Sequence, residues 1–329
     1  MREDLEIKVY KKLENAILVL GMDRSGTSMT SSLVQRWARY KGDPCKSTIV
    51  DPSNPKGYFE SLEVEATLAD AISHLIQSKN ISSRSPSFNE HLENLALDNT
   101  RFASSLEHQF KKLSDVGTPW CSKAPLLSVT VALWERFIAD PVLVITVRNP
   151  YDTAKSLLKL EGKKESKQGI ALNLLRWQHY LIRILEDTAK FERRFFVRYE
   201  KIIENPEVQI TALSEFLGKQ FPNVPYRETA VTEMLEMVES KLHRNQGGLS
   251  FDERDEATQT QKELYALLKE IAKDQAIPNT IDYEKYHLTN QEIVMLEKNN
   301  LHILPDLTKQ SVFKRGWNIF KYMASTGFK

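Results

Sequence analysis

Cysteine is nearly absent from this chain, which has two, Cys45 and Cys121, in 329 residues. Two thiols cannot build a disulfide framework, and no CxxC or histidine–cysteine spacing offers a zinc site, so reduced thiols are expected. A surplus of one charge sign is missing too: 45 basic side chains face 44 acidic ones, a net charge of +1. That balance excludes wholesale nucleic-acid binding, which draws on a strong basic excess, while leaving room for a local cationic crevice. No apolar run approaches the span of about twenty residues needed to cross a membrane, and the opening MREDLEIKVYKK lacks the apolar centre of a signal peptide. No transmembrane segment and a cytoplasmic location are therefore expected. What is present is a 41% hydrophobic composition, enough for a substantial core and about two domains.

Short apolar runs alternate with helical patterns. Strands are expected near residues 16–22, 118–122, 142–147 and 195–199, and helices near 27–40, 61–78, 126–138, 151–160, 169–190 and 207–217. The alternation predicts an α/β fold: a three-layer sandwich whose central parallel sheet has about four to five strands flanked by helices. Residues 80–90 read as a polar loop and 161–168 as a charged connection, either of which can border a cleft. Past residue 246 the stretch GGLSFDERDEATQTQ reads as a flexible hinge, followed by helical charge patterns without strand signals. The expected organisation is an α/β domain over residues 1–246 and a hinge with a C-terminal helical extension over 247–329. The last segment, SVFKRGWNIFKYMASTGFK, sets aromatics among lysines with no acid. Phe313, Trp317 and Phe320 either pack on the protein's own core, as ordinary amphipathicity favours, or make a peripheral membrane contact through 312–329.

Residues 16–28, AILVLGMDRSGTS, run from a buried-strand pattern through a glycine-bounded loop into a helix. Gly21 and Gly26 permit a tight path with positive φ, so successive N–H groups can converge on an anion at the helix N-terminus. Ser25, Thr27 and Ser28 add hydroxyls and Arg24 adds charge. The spacing of the two glycines matches a P-loop, yet Thr27 and Ser28 stand where Lys and Ser or Thr would follow. Without that lysine, ordinary triphosphate hydrolysis is disfavoured and a smaller anion is the better guest. The loop alone also reads as a strand-to-helix turn with no ligand.

A second strand pattern, VLVITV, runs into Arg148, Asn149 and Pro150, and Pro150 suits the first turn of a new helix. Ser156 follows Arg148 by about two helical turns, so both can face one crevice and grip one phosphate. An arginine at the carboxyl end of a buried strand sits where open α/β sheets bind ligands. The competing account pairs Arg148 with a surface carboxylate and leaves Ser156 in solvent.

Together these residues resemble the sulfotransferases that use 3′-phosphoadenosine 5′-phosphosulfate (PAPS). The resemblance implies that GMDRSGTS holds the 5′-phosphosulfate through Gly21, Arg24, Ser25, Gly26, Thr27 and Ser28, and that Arg148 and Ser156 hold the 3′-phosphate. NPKGYFES at 54–61 and FFVRYEKIIENPE at 195–207 resemble segments of the bacterial branch, and the resemblance spans roughly residues 14–245. Many relatives carry lysine at the position of Arg24; arginine there resembles the bacterial subset. Arginine forks onto two oxygens but does not give up a proton, so it stabilises charge rather than acting as an acid.

The implied reaction moves a sulfuryl group from PAPS to an acceptor hydroxyl or amine and leaves adenosine 3′,5′-bisphosphate, with no metal required. Charge building on the leaving phosphate oxygen calls for pre-placed donors, for which Arg24, Ser25, Gly26 and Thr27 are the candidates. Glu60, after Gly57-Tyr58-Phe59, is the candidate general base; its competing role is to open a helix and complement the dipole. Lys123 follows the 118–122 run and can assist the leaving group or the acceptor, against the alternative of a solvated surface lysine. His243 and Arg244 lie before the hinge on a loop that can close over the nucleotide. Trp177 and Tyr199 pack either near the adenine or in the core. The acceptor is a small molecule or a glycan, the glycan being favoured by the bacterial resemblance. A P-loop small-metabolite kinase using ATP and a non-catalytic nucleotide-binding protein are the other readings.

Overall fold

Four short apolar runs supply the sheet. In the computed structural model, β1 (Ala16–Leu20), β2 (Trp120–Lys123), β3 (Val142–Val147) and β4 (Arg194–Arg198) are all parallel, in the order β2-β1-β3-β4. The residues described are 11–40, 57, 59–79, 90–92, 94–95, 100–224, 227–238, 250–278 and 280–299. Every residue of β1, β2 and β3 is buried, which requires both faces of the sheet to be covered. The α-helices of the described residues are α1 (Thr27–Trp37), α2 (Leu62–Lys79), α3 (Thr100–Ser114), α4 (Val131–Trp134), α5 (Pro150–Leu160), α6 (Lys167–Asp187), α7 (Tyr199–Glu204), α8 (Pro206–Gln220), α9 (Arg227–Leu235), α10 (Gln259–Asp274) and α11 (Asn290–Lys298), of which α1, α3, α7, α8 and α10 pack directly on strands. Among the described residues, no helix is long and apolar enough to cross a membrane.

The order of strands reverses at β1: the chain steps from β1 to β2 on one side and to β3 on the other. A parallel sheet opens a crevice at such a point, outside the carboxyl ends of its strands. The loops leaving β1 at Gly21 and β3 at Arg148 both start there.

Among the boundaries that differ from the sequence expectation, three bear on the site. First, β1 stops at Leu20 because Gly21 turns away at φ 149° and gives its N–H to Ser128 Oγ at 2.9 Å. Secondly, the helix expected over 126–138 is broken into a 3-10 turn (Pro125–Val129) and the one-turn α4. Here Thr130 Oγ1 bonds the Leu126 carbonyl at 2.7 Å, and Ser128 is drawn to the Gly21 loop. Thirdly, β2 includes Lys123, which sequence places just after the strand.

The stretch expected to be a hinge carries two capping boxes. Ser250 with Glu253 starts a 3-10 turn, and Thr258 with Gln261 starts α10. α10 then buries Leu264, Tyr265, Leu268, Ile271 and Ala272 in the same core as the sheet. Trp177 of α6 meets Phe251 and Tyr265 there, each with ring centroids 6.3 Å away. Residues 80–89 and the C-terminal 312–329 segment lie outside the described residues.

Candidate active site

The first loop is shaped by backbone that only glycine tolerates easily. Gly26, the N-cap of α1, is left-handed at φ 97°. A Cβ on Gly26 would lie 2.3 Å from Tyr199 Cδ2, and one on Gly21 would lie 2.7 Å from Thr27 Cγ2. Tyr199, the residue after β4, is thus the platform against which this loop is pressed. Ser25 is 1% exposed and gives its hydroxyl proton to the Met22 carbonyl at 2.6 Å. It holds the loop's shape, a use its sequence position does not reveal. Thr27 is buried and Ser28 half-buried at the start of α1.

The N-cap of α1, Gly26, has no side chain to cap the helix with, and no acid lies in the first turn. The leading amides and the positive end of the helix dipole are therefore left for an anion. Arg24 adds a cation directly beside them, itself at φ 65°.

The second loop is tied to the first. Arg148 Nη1 donates to the Arg24 carbonyl at 2.9 Å, and Arg24 Nε donates to Ser156 Oγ at 3.1 Å. The Arg148 guanidinium also lies over the Tyr199 ring, 4.4 Å from its centroid. Arg148 is 9% exposed, and its Nε is buried with no hydrogen-bond partner among the described residues. A buried guanidinium with a vacant donor beside uncapped helix amides suits a ligand with two anionic ends. The structure thus brings Gly21, Arg24, Ser25, Gly26, Thr27, Ser28, Arg148 and Ser156 to one sheet edge, while His243 and Arg244 lie outside the described residues.

Asn149 shapes the turn after Arg148. Its Oδ1 accepts the Tyr151 and Asp152 N–H groups, the usual N-cap service, and Pro150 occupies the first helical position. Its backbone N–H donates to Glu200 Oε1 at 2.7 Å. Burial pushes the Glu200 carboxyl above the ordinary carboxylate range; its hydrogen bonds and the charges of Arg148 and Arg198 pull the other way.

Lys123 is 2% exposed and forms an ion pair with Glu60, whose side chain is 12% exposed. The solvated-lysine account of Lys123 is thereby overturned: its partner comes from a segment 63 residues away in sequence. Glu60 precedes α2 rather than lying in its first turn. Its strand of chain is fixed on both sides, since Ser61 N–H donates to the Lys123 carbonyl at 2.8 Å and Ser31 Oγ to the Phe59 carbonyl at 3.1 Å. Gly57 and Phe59 have φ of 94° and 51°, so this approach is sharply bent. Trp177 belongs to the core, whereas Tyr199 belongs to the site.

Sequence reasoning passed over Ser128, Asn149 and Glu200. An asparagine before a helix-opening proline is a local cap signal that could have found Asn149, but nothing local marks Ser128 or Glu200 as partners of glycine and asparagine backbone. Among the described residues no cluster of His, Cys, Asp or Glu could hold a metal ion.

A family model described as the sulfotransferase family matches residues 16–223. Curated proteins give no match. Among solved structures, the sulfotransferase STF9 from Mycobacterium avium is 17% identical, with 82% of this chain and 78% of that one covered at a TM-score of 0.43. The sulfotransferase domain from the curacin biosynthetic pathway is 15% identical, with 88% and 99% covered at 0.41. That of the Synechococcus PCC 7002 olefin synthase is 16% identical, with 88% and 96% covered at 0.40.

Proposed function

Because this chain belongs to the sulfotransferase family, we propose that it carries a sulfuryl group from PAPS to a hydroxyl or amine of an acceptor. The observation that carries this reading is the clasp between the two loops, Arg148 Nη1 on the Arg24 carbonyl and Arg24 Nε on Ser156 Oγ. One short crevice then offers cations and amides to both ends of a doubly phosphorylated adenosine.

PAPS would supply an activated sulfuryl group. The loop amides at the start of α1 and Arg24 cradle the 5′ end, and as the S–O bond breaks they stabilise the electron pair left on the phosphate oxygen. Arg148 and Ser156 grip the 3′-phosphate. Glu60 takes the acceptor's proton as the new bond to sulfur forms, and Lys123 keeps the carboxylate aimed while adding positive charge at the sheet edge. His243 and Arg244 complete the nucleotide cover on the sequence reading. The acceptor we favour is a glycan, and the location is cytoplasmic.

Calorimetric titration tests the donor. Adenosine 3′,5′-bisphosphate is expected to bind without magnesium and more tightly than AMP or ATP. Tighter binding of ATP, dependent on magnesium, would instead mark a kinase. Labelled PAPS offered with cell extract then identifies the product that gains sulfate; binding with no transfer to any acceptor marks a non-catalytic protein.

A further inference from the structure

Arg148 can serve a ligand only if the corner it stands on is fixed, and β3 and β4 cease to pair just where that corner begins. Their last matched residues are Val147 and Arg198. The alternation that sends the Leu143 N–H to the Arg193 carbonyl at 2.8 Å would send the Asn149 N–H to the carbonyl of Tyr199. Tyr199, however, already opens helix α7, and the chain has turned out of strand geometry. The Asn149 side chain offers no remedy, because its oxygen is spent on Tyr151 and Asp152. Left so, the Asn149 amide would lack a ladder partner at the base of the site.

Glu200, in the first turn of α7, fills the gap: its Oε1 accepts the Asn149 N–H at 2.7 Å. We infer that Glu200 is a positioning residue of the nucleotide site, its side-chain oxygen standing in for the strand carbonyl and so fixing the Arg148–Asn149 corner. The same turn of chain carries Tyr199, which supports the Arg148 guanidinium from below and packs on Gly26. One short segment, Tyr199-Glu200, therefore holds Arg148 at both its backbone and its charged end. The inference rests on the assignment of Arg148 to the 3′-phosphate.

The test compares the affinities of adenosine 3′,5′-bisphosphate and AMP by calorimetry in the wild type and in Glu200→Met, Glu200→Gln and Arg148→Ala. Methionine keeps length and volume but has no oxygen acceptor; glutamine keeps the acceptor without charge. Arg148→Ala is expected to abolish the preference for the bisphosphate. Glu200→Met is expected to weaken the bisphosphate about tenfold, the equivalent of one lost buried hydrogen bond, with AMP nearly unchanged. Glu200→Gln is expected to restore the preference. If Arg148→Ala loses the preference and Glu200→Met keeps it, the role of Glu200 is overturned while that of Arg148 stands. If Arg148→Ala keeps the preference, the assignment of Arg148 fails, and the inference with it. A measurement on the unaltered protein covers the case of a variant that does not fold. The Asn149 amide should exchange with solvent as slowly as the β3 ladder amides, and exchange at the rate of an open amide overturns the inference.

Discussion

At the scale of single residues, Glu200 has a second consequence, in its titration. Its pKa is raised in the folded chain, chiefly by burial, above the ordinary value of 4.5. A carboxyl with a raised folded pKa is more readily protonated in the folded chain than in the unfolded one. Between the two pKa values the native state therefore holds more protons, and stability falls as pH rises through that window. Below 4.5 both states are protonated and the effect vanishes. Glu200→Gln removes this titration, so its melting temperature relative to wild type should climb as pH increases from about 4.5 toward neutrality. Paired thermal melts across that range check the sign, and a difference that stays flat or falls contradicts it. Cys121 shows the same physics without a functional claim: complete burial pushes its thiol up and keeps it inert.

Among the elements, α10 shows how a helix outside the sheet protects a sheet edge. Gln275, at its C-cap, has φ 51°, a left-handed value that favours glycine. Its side-chain amide explains the choice: Oε1 accepts the Phe196 N–H and Nε2 donates to the Phe196 carbonyl, both at 2.8 Å. The outer edge of β4 is thus paired by a side chain, as a neighbouring strand would pair it. Gln275→Gly regains the left-handed penalty of about 1 kcal/mol but gives up three hydrogen bonds of about 1 kcal/mol each, the third from Nε2 to the Ala272 carbonyl, so net destabilisation of about 2 kcal/mol is expected. Urea unfolding measures it; a stabilised variant would show that φ strain outweighs the pairing. The sheet itself was legible, since strands are short apolar runs and Pro150 and Asn149 announce their helix locally. The break between the 3-10 turn and α4 was not legible. It depends on Ser128 and Gly21, which are 107 residues apart. The partner of Lys123 was not legible for the same reason, because Glu60 is 63 residues away in sequence.

On the scale of the molecule, Phe251 and the buried face of α10 share the core of the sheet. Phe251, Leu264, Leu268 and Ile271 are each at most 3% exposed. At about 1.5–3 kcal/mol for each buried side chain, these four contribute roughly 6–12 kcal/mol. That is comparable with the about 5–15 kcal/mol that holds an entire domain together. A chain cut after residue 246 is therefore expected to lose cooperative unfolding and near-ultraviolet circular dichroism. A truncated protein melting within a few degrees of the full chain would show that the sheet stands without α10. The candidate site was legible as two separate motifs, Gly21–Ser28 and Arg148–Ser156, because each is local. Their meeting on one nucleotide was expected from the family resemblance, but the direct bonds that clasp them were not legible, since these are one bond to a backbone carbonyl and one side-chain bond, spanning 124 and 132 residues.

The bond from Arg148 to the Arg24 carbonyl makes the two grips jaws of one calliper. On the proposed reading, a donor longer or shorter between its anionic ends cannot be accommodated by resetting one jaw, because the other is carried along with it. Donor choice is then read as a single length, and widening it would take matched changes in β1 and β3 together.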